Sequence, residues 1–214
     1  MAKKAYVYSG TDWVPLASEV TDLTAYSTST EIANTYATKA DNGLVHINTT
    51  SFSAVASQSI NNVFSSDYDN YRILLNADNV TVSQQFLFRV RASGTDNSSS
   101  IYGGTGWYTN SSGGGQSGYP VATINSAFWD IGYMNSTAES GAIAVEIMNP
   151  FRSKMTFATS WQMRNNDTPP TLGTVEMRVC TYSHALVSSF DGFTIFRPSG
   201  TMTGSVSVYG YRKS

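Results

Sequence analysis

From Leu44 to Arg212 the apolar residues of this chain recur mainly at every second position, in runs separated by turn-forming residues. That period turns side chains alternately to the two faces of a strand, whereas a helix repeats its apolar stripe every ~3.6 residues. Gln85–Arg91 is the cleanest run, with Phe86, Phe88 and Val90 on one side and Leu87, Arg89 and Arg91 on the other. Ile143, Val145 and Ile147 alternate up to Asn149–Pro150. Met155, Phe157, Thr159 and Trp161 alternate within 154–163, as do Val175, Met177, Val179 and Thr181 within 174–182. Tyr71–Asn76 is a nearly continuous apolar run and reads as a central strand. Leu44–Asn48, Phe52–Val55, Ile60–Phe64, a mixed segment over 121–134, Phe190–Phe196 and Ser205–Arg212 bring the set to roughly ten strands. The class this predicts is all-β, an antiparallel jelly-roll-like β-sandwich spanning 43–214. Residues 93–118 dissolve into Ser, Gly and Asn, interrupted by Ile101–Tyr102 and Trp107–Tyr108, and read as exposed loop.

The first 42 residues do not share this pattern. Residues 1–16 read as a short hairpin: Tyr6 and Tyr8 alternate with Ala5 and Val7, Ser9–Asp12 turns, and Trp13–Val14 returns until Pro15. A two-stranded hairpin is barely stable alone, so its rings predict docking on the main domain, on a symmetry mate or on a larger assembly. Residues 17–42 look helical. Thr28 and Glu31 have capping-box spacing, Ile32, Tyr36 and Lys39 follow at helical intervals, and Val20 and Leu23 form a weaker pair before them. So short a helix is marginal in water. It either packs on copies of itself as a neck or lies on its own domain, and periodicity does not choose.

Composition narrows the function classes. Of 214 residues only 13% are charged, against the ~25% usual in soluble domains, and 30 Ser, 24 Thr and 15 Asn fill the gap. A net charge of −2 supplies no field to gather nucleic acid or an anionic membrane. Aromatics at 13% argue against a disordered chain. The single cysteine, Cys180, excludes an intrachain disulfide and reads as a buried thiol. The start, Met-Ala-Lys-Lys, lacks a signal-peptide apolar region, and no apolar run approaches the ~20 residues of a membrane span. Synthesis in a cytoplasm without membrane insertion is therefore expected.

Little in the chain suggests catalysis. Glycoside hydrolysis needs two carboxylates about 5–10 Å apart, and Glu146 and Glu176 are the candidates, although outward strand positions explain both. A nucleophile elbow is missing. Two histidines and one cysteine do not make a zinc site without added carboxylates, Asp67–Asn70 lacks the rest of an EF-hand, and Gly103–Gly106 lacks the Lys of a P-loop. No cofactor or metal is expected. A glycan- or receptor-binding surface would need aromatic faces beside amides or carboxylates. The best such set is Tyr102, Trp107, Tyr108, Tyr119, Trp129 and Asp130, whose rings could equally anchor loops, whereas Phe157 and Trp161 read as core.

Two segments look familiar. Ile60–Ile73, INNVFSSDYDNYRI, resembles a phrase near the start of small β-domains in tailed-phage structural proteins, and Gly204–Arg212, GSVSVYGYR, resembles their closing strand. Tyr8–Leu16, with Tyr26 and Tyr36–Lys39, is similar to attachment and neck sequences of phage fibre proteins. The resemblance implies a non-enzymatic virion protein assembled in the host cytoplasm. It further implies a homotrimeric tail or collar fibre, or else a capsid-bound decoration or head fibre, with host attachment as its task. It carries over no contact residues; the hairpin pattern itself makes Tyr6, Tyr8 and Trp13 the expected virion anchor meeting other virion proteins, and the helical spacing makes Val20, Leu23, Ile32 and Tyr36 the expected trimer neck. A glycan-degrading fibre enzyme is the reading from another class.

Overall fold

The structure is a computed structural model that describes residues 6–8, 10–15, 43–110, 117–136, 141–165 and 175–213. The chain divides into two units, Met1–Asn42 and Gly43–Ser214. The expected neck residues Val20, Leu23, Ile32 and Tyr36 lie outside the described residues. Every described element is a strand or turn, and all strand pairings are antiparallel.

In the first unit β1 (Tyr6–Tyr8) pairs with β2 (Trp13–Pro15), Tyr8 opposite Trp13. Gly10, at φ 99°, makes the turn between them. The Tyr8 and Trp13 rings meet at 5.3 Å and are both exposed.

The second unit holds two sheets. The large one has eight strands in the order β3 (Leu44–Val55), β15 (Met202–Arg212), β5 (Tyr68–Val80), β11 (Gly141–Met148), β12 (Lys154–Asn165), β13 (Val175–Ser188), β8 (Tyr102–Asn110), β9 (Ser117–Ser126). The small one runs β10 (Trp129–Met134), β6 (Gln84–Ala92), β14 (Gly192–Phe196), β4 (Ser57–Ile60), with the short β7 (Thr95–Asp96) also on β6.

The two sheets share one apolar core. Ile73, Leu75, Ile143, Val145, Ile147, Val206 and Val208 come from the large sheet, and Phe86, Phe88, Val90, Ile131, Phe193 and Ile195 from the small one. A chain of rings links them: Phe64 to Phe193 at 5.7 Å, Phe193 to Phe88 at 4.9 Å, Phe88 to Trp129 at 5.5 Å, and Trp129 to Tyr182 of the large sheet at 5.5 Å. Cys180 is a buried free thiol within this core.

The Gly-rich segment corrects the sequence reading. Residues 102–110 are not loop but an interior strand of the large sheet, β8, between β13 and β9. Glycine is demanded there rather than merely tolerated. A Cβ on Gly106 would stand 2.3 Å from the Val179 carbonyl oxygen and 2.5 Å from the Cys180 sulfur.

Candidate functional site

The alternation in β12 and β13 is real, but it points the other way from a simple apolar-inward rule. On β12 the buried positions are Thr156, Ala158, Ser160 and Gln162, while Met155, Phe157, Trp161 and Met163 face out. On β13 the buried positions are Glu176, Arg178, Cys180, Tyr182 and His184, and Val175, Met177 and Val179 face out. Thus Phe157 and Trp161, expected in the core, are 45% and 41% exposed. Glu176, expected at the surface, is buried.

Cross-strand register gathers these outward residues. Trp161 lies opposite Val179, and Val179 opposite Trp107 of β8. Met163 lies opposite Met177 in the next outward row. Met148 of β11 lies opposite Phe157. Trp107 and Met163 are the most exposed of the group, each at 61%. Phe157 also walls a shallow hollow of about 410 Å³, together with Ile124, Thr105, Thr181 and Gly103–Gly104.

The other half of the same outer face is polar. On β3, β15 and β5 it carries His46, Thr49, Ser207, Tyr209, Asn70 and Arg72. His46 bonds Thr49 at 2.8 Å, Thr49 bonds Ser207 at 2.8 Å, and the His46 ring meets the Tyr209 ring edge-on at 5.4 Å. Arg72 and Glu146 pair at 3.5 Å along the boundary, and the Tyr211 hydroxyl donates to Glu146 at 2.7 Å. The Arg72 guanidinium stands over the Trp161 ring, 5.9 Å from its centre, so the charge meets the apolar field at this edge.

Beneath that field the interior is polar, because the inward positions of β12 and β13 must be satisfied between the sheets. Arg178 pairs with Asp130 of β10 at 2.9 Å, and the Asp130 carbonyl accepts from Arg178 at 2.9 Å and from the Tyr182 hydroxyl at 2.6 Å. Burial pushes the Asp130 carboxyl up, opposed by the Arg178 charge, and the net direction is upward. Glu176 pairs with Arg164 and accepts from the Tyr108 hydroxyl. Gln162 clips the sheets together, accepting from the Tyr133 amide at 2.9 Å and donating to its carbonyl at 2.7 Å. His184, fully buried, packs edge-on against Tyr102 at 4.4 Å and Phe190 at 5.0 Å. Neither of its ring nitrogens has a hydrogen-bond partner among the described residues. Burial pulls its pKa down to about 4.

The residues nominated for glycan or receptor contact are therefore dispersed. Trp107 is at the surface. Tyr102 is fully buried, its hydroxyl donating to the Asn97 carbonyl at 2.7 Å and accepting from the Val90 amide at 3.2 Å. Trp129 is fully buried and donates to the Ser183 carbonyl at 3.0 Å. Tyr108 and Asp130 are engaged with Glu176 and Arg178 between the sheets. The Tyr119 side chain lies outside the described residues. Rings with structural duties in the core cannot also stack on a ligand, so among the five members whose side chains are described the expected exposed cluster is corrected to Trp107. Glu146 and Glu176 face opposite sides of the large sheet, so they cannot flank one glycosidic bond. Among the described residues no group of three or more His, Cys, Asp or Glu side chains could hold a metal ion.

What sequence reasoning missed is the apolar half-face itself. Its signal was present, since each member sits in phase on β12 and β13. No family model, curated protein or solved structure matches this chain. Outward Trp, Phe, Met and Val side chains cover this half of the large sheet's outer face.

Proposed function

We propose that this chain is a non-enzymatic structural protein of a tailed-phage virion, a homotrimeric tail or collar fibre displayed for host-surface attachment. In this reading residues 1–16 anchor it, 17–42 form the trimer neck, and 43–214 form a jelly-roll-like β-sandwich head. The observation that carries it is the N-terminal hairpin. Three-residue strands with two exposed rings, Tyr8 and Trp13, are too small to stand alone. Rings so placed suit insertion into another protein, as a fibre base inserts into a particle.

The head supports the same reading through its surface chemistry. Hydroxyls, amides and rings such as His46, Asn70 and Tyr209 fill the polar half of the outer face, and groups of this kind contact glycans or proteins at low entropic cost. Capsid decoration uses the same parts with a different docking site for the hairpin.

The test is location. Purified particles should contain the chain, and labelled Fab fragments should mark it at tail or collar. Light scattering of the isolated protein should give three times the 23.2 kDa of one chain. Label on the capsid would shift the proposal to decoration, and absence from particles would end it.

A further inference from the structure

We infer that the apolar half of the large sheet's outer face, built by β11, β12, β13 and β8, is where the heads of separate copies of this chain meet. The inference deepens the proposed function by putting self-association into the head itself, whatever the neck contributes.

The first argument is pattern. A surface strand ordinarily turns its apolar set inward and its polar set outward. β12 and β13 do the reverse together, and they are direct neighbours in the sheet. Keeping Glu176, Arg178 and Gln162 inside requires partners between the sheets, and Arg164, Asp130 and the Tyr133 backbone supply them, although Asp130 Oδ1, Thr156 Oγ1 and Arg164 Nη1 stay without a hydrogen bond among the described residues. Reversal over two adjacent strands makes sense when the outer face is buried as well, so that the sheet is covered on both sides.

The second argument is area. Trp107, Phe157, Trp161, Met163, Met177 and Val179 are between 41% and 61% exposed. At the roughly 150–250 Å² of a large side chain they present about 600 Å². Met148, Met155 and Val175 raise this to roughly 800 Å² of apolar surface, above the ~300–600 Å² largest patch of an ordinary monomer and close to one side of a standard interface.

The third argument selects the partner. The outward positions of β12 from Met155 to Met163, of β13 from Val175 to Ser183 and of β8 from Gly103 to Thr109 carry no charged side chain. On these three strands a lipid headgroup, a nucleic acid or a charged peptide finds no charge to pair with, and the Arg72–Glu146 pair at the β11 edge neutralises itself. Two identical copies meet without like-charge repulsion, with Trp and Met at the centre and the Arg72–Glu146 pair at the rim, as interfaces are composed.

The test uses the full chain. At micromolar concentration wild type should run as an oligomer in light scattering, and Val179→Glu, with unchanged far-UV dichroism, should let peroxide oxidise Met163 several-fold faster than in wild type, whether or not a neck keeps the variant oligomeric. Val179→Glu places a charge at the centre of the field on an outward position, where an isolated head tolerates it. Equal Met163 oxidation in Val179→Glu and wild type overturns the inference while leaving a neck-based trimer intact. A second readout needs no variant to fold. Peroxide should oxidise Met163 in the wild-type oligomer several-fold more slowly than free methionine, and an unprotected Met163 overturns the inference. Protection in a wild-type monomer also overturns it, in favour of residues 1–42 as the cover. Absence of the chain from virions would sink the proposed function and leave this interface standing.

Discussion

Acidification should destabilise the head through one side chain. His184 sits sealed between Tyr102 and Phe190 with no hydrogen-bond partner for either nitrogen among the described residues, and burial holds its pKa near 4 rather than the usual 6.5. The fold therefore keeps it neutral where the unfolded chain would protonate it. Between those two values the unfolded state binds the extra proton, so stability falls as pH drops from about 6.5 to about 4 and is flat below. At ~1.4 kcal/mol per unit the loss is about 3 kcal/mol, a large part of the ~5–15 kcal/mol of an ordinary domain. Urea midpoints measured from pH 7.5 to 4 at fixed protein concentration give the curve for wild type. His184→Leu replaces the ring with an apolar side chain that does not titrate. The difference between the two curves isolates His184, because Asp130, whose raised pKa works in the opposite direction, is present in both. Wild type should lose about 3 kcal/mol more than His184→Leu over this window. Parallel curves would refute the argument that this imidazole is buried and neutral.

Three further outcomes follow from particular contacts. Arg178→Met should cost about 3 kcal/mol by stranding the Asp130 carboxylate between the sheets, and adding Asp130→Leu should recover much of that in a double-mutant cycle on urea midpoints. Gly106→Ala should cost at least about 1–3 kcal/mol, since its Cβ would meet the Val179 carbonyl and the Cys180 sulfur; an unchanged melting temperature would contradict the strand pairing described for β8. Trp13→Ser should leave the thermal unfolding of the head unchanged while abolishing incorporation into particles, scored by mass spectrometry of purified virions.

How far the sequence could be read varies from strand to strand. β6 was legible on its main face: Phe86, Phe88 and Val90 are buried as the alternation requires, while Leu87, on the other face with Arg89 and Arg91, is buried as well. β12 and β13 were legible as strands but not as to which face is inside. Period alone fixes two faces, and assigning Phe157 and Trp161 to the core assumed that the apolar face is the one its own head covers. Tertiary partners decide that, here the polar inner network of Arg178 and Gln162. β8 was lost because Gly103, Gly104 and Gly106 have the composition of a loop. Only the backbone of β13 lying close by explains Gly106, and that contact is remote in sequence. The contact residues failed for a related reason: Trp107 and Trp129 are the same amino acid, and nothing local distinguishes a surface ring from a central one.

The place of β15 has a temporal consequence. It lies between β3 and β5, joining Leu44 to Tyr211 across nearly the whole unit. At ~5–20 residues translated per second, β3 waits roughly ten to thirty seconds for its neighbour to be made. The head therefore closes only after the ribosome has delivered the final strand, and a message truncated before Met202 should yield a chain that chaperones hold or proteases clear rather than a shortened head.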